Sequence, residues 1–86
     1  MIRVLMISRK GDVIEDEGNV LIFDTTDGQR SLLPRHMPII YPLSDPGILK
    51  VKNEDSVRNY RYHGGVLYFE EDEAKVLSAH IEEVKV

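Results

Sequence analysis

The opening residues alternate in polarity. Ile2, Val4 and Met6 fall on one side of an extended chain and Arg3, Leu5 and Ile7 on the other, before the turn-forming Arg9-Lys10-Gly11-Asp12. This period of two predicts a strand over residues 2–8. Two short apolar stretches follow, Val13-Ile14 and Val20-Leu21-Ile22-Phe23. Between them Glu15-Asp16-Glu17-Gly18-Asn19 has the composition of a hairpin turn, so two consecutive short strands are expected. Asp24-Thr25-Thr26-Asp27-Gly28 supplies the next turn, with Asp27-Gly28 suited to a backbone of positive φ, and another strand starts near Gln29.

Between Leu32 and Pro46, prolines recur at positions 34, 38, 42 and 46. A four-residue spacing imitates a helical period, but each proline lacks an N–H, so the segment is read as irregular or edge-strand structure. From Gly47 the alternation is cleaner: Leu49 and Val51 oppose Lys50 and Lys52, as in a half-solvated antiparallel strand. After the turn Asn53-Glu54-Asp55-Ser56, Tyr60 and Tyr62 share a face opposite Asn59 and Arg61. Past Gly64-Gly65, Val66-Leu67-Tyr68-Phe69 reads as a strand closed by Glu70-Glu71-Asp72-Glu73. The tail fits two patterns. Val76, Leu77, His80, Ile81 and Val84 also line one face of an amphipathic helix, yet the succession of short strands and turns favours a final strand at about 74–79. The pattern as a whole predicts an all-β protein, a two-sheet antiparallel β-sandwich of about 8–10 short strands forming a single domain over residues 1–86.

Composition narrows the functional classes. With 42% hydrophobic and 30% charged residues the chain is an ordinary folding sequence, and no apolar run approaches the roughly 20 residues of a membrane-spanning helix. The N-terminal MIRVLMISRK is too soon interrupted by charge to be a signal peptide, so a cytoplasmic location without membrane insertion is expected. A net charge of −4, with small basic clusters interleaved with acids, offers no groove for nucleic acid. Tyr60, Tyr62 and Tyr68 are accordingly read as packing residues rather than base-stacking platforms.

Catalytic chemistry has no foothold in the motifs. There is no cysteine, no Gly-x-Ser-x-Gly elbow, no phosphate-cradling Gly-Lys loop and no dinucleotide fingerprint. The acidic runs 15–17, 70–73 and 82–83 are expected to be solvated, with nothing to raise one carboxyl selectively. His36, His63 and His80 are far apart in sequence and lack the i, i+4 spacing of a helical metal site. The expectation is a protein with no catalytic residues, no cofactor, no metal and no small-molecule substrate.

Three stretches, taken together, resemble a known family. Asp27-Gly28-Gln29-Arg30-Ser31-Leu32-Leu33-Pro34-Arg35-His36-Met37-Pro38-Ile39 is similar to a glycine-rich strand leading into a Leu-Pro-Gly-His-Ala-Pro type turn. Pro46-Gly47 opens an amphipathic strand, and His63-Gly64-Gly65-Val66-Leu67 precedes Val76-Leu77-Ser78-Ala79. The order resembles the N-terminal β-sandwich of the epsilon subunit of F-type ATP synthases. The resemblance runs from Ile2 to about Ala79, with departures: Arg30 stands at a usually apolar position, Ser31 and Arg35 replace glycines, and Met37 replaces a small residue.

The resemblance implies a non-catalytic central-stalk rotor subunit. It would link the gamma subunit to the c-ring, couple ion translocation to ATP synthesis or hydrolysis, and sit peripherally on the inner face of the cell membrane. It also implies a divergent member without the family's C-terminal helical hairpin. Contact with the c-ring is expected at Gln29, Arg30, Arg35 and His36. The apolar Met37-Pro38-Ile39-Ile40-Tyr41 exceeds the evident need of a small core, which points to gamma contact through Met37, Ile39, Ile40 and Tyr41. The competing reading is a free-standing β-sandwich interaction module unrelated to ATP synthase.

Overall fold

The alternations become strands. The computed structural model describes residues 1–85; Val86, the last residue of the expected domain, lies outside them. The strands are β1 (Ile2–Ser8), β2 (Val13–Gly18), β3 (Val20–Thr25), β4 (Gly28–Leu32), β5 (Ile39–Pro42), β6 (Gly47–Lys52), β7 (Val57–Tyr62), β8 (Val66–Glu70), β9 (Glu73–Ser78) and β10 (Ile81–Val84). They form two five-stranded sheets, ordered β2-β1-β9-β8-β5 and β10-β7-β6-β3-β4. All neighbours are antiparallel except β1 and β9, which run parallel. The expected all-β sandwich is the observed one.

The core lies between the sheets and comes from every second residue, as the strand period requires. Ile2, Val4, Met6, Leu67, Phe69, Ala74 and Val76 face inward from the first sheet; Leu21, Phe23, Leu32, Leu49, Val51, Tyr60, Tyr62 and Ile81 face them from the second. The Tyr62 ring passes over Gly47, where an added Cβ would lie 2.5 Å from a ring carbon. Its hydroxyl accepts the Asp24 N–H at 2.8 Å and donates to the Asp24 carbonyl. The phenol thus satisfies the backbone at the end of β3, and its burial pushes the hydroxyl pKa up to about 12.

Two segments depart from expectation. Glu15-Asp16-Glu17 is no turn but the body of β2, in register with Leu5, Val4 and Arg3 of β1. Acidic residues imitate turn composition, but pairing with a strand as long as β1 outweighs their weak local preference. At the tail, the expected strand at 74–79 is present as β9, and Ile81–Val84 form a further strand rather than a helical turn. The free edge of β7 decides this, because it takes Ile81 opposite Tyr62 and Val84 opposite Asn59. The proline segment behaves as read: Pro42 ends β5, an edge strand of the first sheet.

Candidate functional site

The residues predicted to contact partners lie along β4, the crossover that follows it and β5. Gln29 and Arg30 lie on β4, the edge of the second sheet, and are exposed. The chain then crosses to the first sheet through residues 33–38. Arg35 sits in this crossover with φ 70°, the left-handed conformation in which glycine is at ease, and its N–H donates to Asp72 Oδ1 at 2.6 Å. The conformation is one that glycine adopts without strain, and here it carries a guanidinium. The exposed His36 turns one ring nitrogen to the Met37 carbonyl at 2.8 Å and sets its ring edge-on to Phe69.

The apolar stretch expected to meet a partner divides in two. Ile39 and Tyr41 pack against the core, Tyr41 edge-on to Phe23 with ring centroids 5.4 Å apart, whereas Met37 and Ile40 are exposed. Only the second pair is free to meet another surface.

A broader apolar surface escapes sequence reading. On the outer face of the first sheet, strand register aligns Val13, Ile7, Leu77, Val66 and Pro42 in one row across all five strands. The next row is Glu15, Leu5, Lys75, Tyr68 and Ile40, and the third is Glu17, Arg3, Glu73 and Glu70. The face thus grades from wholly apolar to charged. Val13 is 57% and Leu77 49% exposed, and such a row marks a contact surface more readily than scattered apolar residues do. The charged row is locally paired, with Arg3 and Lys75 each 3.7 Å from Glu73.

The acids were expected to be solvated, and Asp16 overturns that. Its side chain is only 8% exposed, because β2 alternation turns it inward at the sandwich edge. Arg58 grips it with Nε at 2.6 Å and Nη2 at 2.5 Å, while the Tyr60 hydroxyl donates at 2.6 Å and the Glu17 N–H at 2.7 Å. Burial alone raises the carboxyl pKa, but these donors and the Arg58 charge outweigh it and hold Asp16 below the ordinary carboxylate range. Burial and the same carboxylate push the Tyr60 hydroxyl up. A carboxylate so occupied is a poor base, and its chemistry is that of a clasp between β2 and β7.

The β-sandwich family model for the ATP synthase Delta/Epsilon chain matches residues 1–84. This chain belongs to that family. Among curated members, the ATP synthase epsilon chain of Alkalihalophilus pseudofirmus is 26% identical over 77 residues, covering 90% of this chain and 57% of its own. That of Levilactobacillus brevis is 29% identical over 80 residues, covering 91% and 55%. The chain therefore spans a little over half the length of the curated relatives it matches. In fold it is similar to a chain of the Euglena gracilis mitochondrial ATP synthase (TM-score 0.81, 15% identity, 95% of this chain and 52% of that one). A chain of the Tetrahymena thermophila mitochondrial ATP synthase central stalk and c-ring gives a TM-score of 0.68 at 9% identity, covering 94% and 65%.

Proposed function

We propose that this epsilon-type β-sandwich acts as a non-catalytic part of the central stalk of an F-type ATP synthase, holding the gamma subunit against the c-ring so that ring rotation reaches the catalytic head. The observation that carries this reading is membership of the Delta/Epsilon β-sandwich family over residues 1–84. The role demands stiffness rather than reactivity. A packed two-sheet core with the Asp16 clasp between the sheets provides it. Among the described residues no helix is long and apolar enough to cross a membrane, which suits peripheral attachment through partners on the inner face of the cell membrane.

Two surfaces divide the work. The apolar row Val13, Ile7, Leu77, Val66 and Pro42, extended by Ile40, faces the gamma subunit; the exposed Met37 meets it too. Ile39 and Tyr41 support that contact from the core side. The polar flank of Gln29, Arg30, Arg35 and His36 faces the loops of the c-ring. There the Arg35 guanidinium pairs bidentately with a carboxylate, which the glycine usual at that position in the family cannot do. Arg35→Glu is expected to weaken c-ring binding roughly tenfold by placing like charges together. Arg35→Gly keeps the left-handed backbone and should lose a smaller part. Equal affinity of all three proteins for isolated c-rings would remove Arg35 from the interface.

A further inference from the structure

The pairing of β7 with β10 has a chemical consequence at its open end. Tyr62 is opposite Ile81, so the next position along each strand places His63 across from His80. Their rings face each other at a centroid separation of 5.9 Å and an interplanar angle of 40°. Both backbones hang on one buried hydroxyl: Ser78 Oγ accepts the His63 N–H at 3.0 Å and donates to the His80 carbonyl at 3.4 Å. Gly65, in the β7–β8 loop, lies against the Leu77 carbonyl near the end of β9 with no room for a side chain.

We propose that His63 and His80 form a two-histidine site for a divalent transition-metal ion of the zinc or nickel type. An ion taking one nitrogen from each of two imidazoles at about 2.0–2.1 Å holds the ring centres roughly 5–6 Å apart, the separation already present. Asp45 orients the first ligand. Its carboxylate lies 3.3 Å from His63 Nδ1, and in the tautomer a metal would select, Nδ1–H donates to that carboxylate and Nε2 keeps the lone pair. Glu82 lies 3.7 Å from His80 Nε2, beyond a hydrogen bond, and is shared with Arg61 at 3.4 Å. Among the described residues no group of three or more histidine and carboxylate side chains is set to hold an ion, so water completes the coordination. Both rings are exposed enough for ions to exchange freely. Bound metal would staple the β7–β8 and β9–β10 loops together.

The test is a titration of the untagged chain with Zn²⁺ alone, followed through the imidazole resonances. His63 and His80 should shift together while His36, which lies against Phe69, stays in place. His63→Ala and His80→Ala should each weaken Zn²⁺ binding at least tenfold, and Asp45→Asn by several fold, in proteins whose backbone spectra match the parent. Binding unchanged in the two alanine variants, or shifts at His36 as large as those at His63 and His80, would overturn the site.

Discussion

Replacing Gly65 with alanine is expected to leave the domain at the edge of unfolding. Gly65 has φ 101°, and a Cβ there would sit 1.8 Å from the Leu77 carbonyl oxygen and 2.9 Å from Ser78 Cα. Those atoms belong to β9, which is paired on both sides in the first sheet, so they have no soft direction in which to retreat. The loss should be about 4 kcal/mol or more, against a total stability of about 4–13 kcal/mol for a domain this size. Gly11→Ala is the matched comparison. It has a similar φ of 93° with nothing within 4 Å of the added methyl, so it should lose only about 1 kcal/mol of backbone preference. Urea midpoints of the two variants measure the difference. Equal midpoints would show that the contact with β9 is not what requires glycine.

The second large effect belongs to Asp16. Asp16→Ala leaves the Arg58 guanidinium and the Tyr60 hydroxyl facing a space they cannot share with a partner. Breaking a fully buried pair costs about 3–5 kcal/mol, and because the Arg58 side chain is 36% exposed the loss here should be about 2–3 kcal/mol. The acid limb of the stability curve provides an independent readout. Asp16 has a folded pKa below its unfolded value of about 3.9, so its contribution is complete above about pH 4 and is lost as the pH falls through the lower, folded pKa. Asp16→Asn removes that titration. The stability difference between parent and variant should therefore be largest at neutral pH and shrink on acidification below about pH 4. A difference independent of pH would mean that packing, not the ionised carboxylate, joins β2 to β7.

How much of this was legible beforehand depends on whether the signal was local. The alternation of Leu49 and Val51 with Lys50 and Lys52, the shared face of Tyr60 and Tyr62 and the proline-marked edge at β5 each arise within one strand, and each was read from its own residues. β2 was read too short, ending near Ile14, because three consecutive acids resemble a turn, while the pairing that makes them a strand comes from β1. β10 was obscured because its apolar residues continued a period near 3.6 across the loop after β9.

The site was harder to read for the same reason. The outer apolar row draws one residue from each of five strands, so no window of sequence contains it. The inward turn of Asp16 depends on its register with Val4, and the meeting of His63 and His80 depends on the pairing of β7 with β10. The flank of Gln29, Arg30, Arg35 and His36 came from likeness to a family.

Co-purification from native cells through a C-terminal tag decides whether this domain has its place in a rotary stalk. Stoichiometric recovery of the gamma subunit together with the alpha and beta subunits is the expected result. Recovery of the protein alone, or with partners unrelated to ATP synthase, would contradict it and leave a β-sandwich interaction module that works elsewhere.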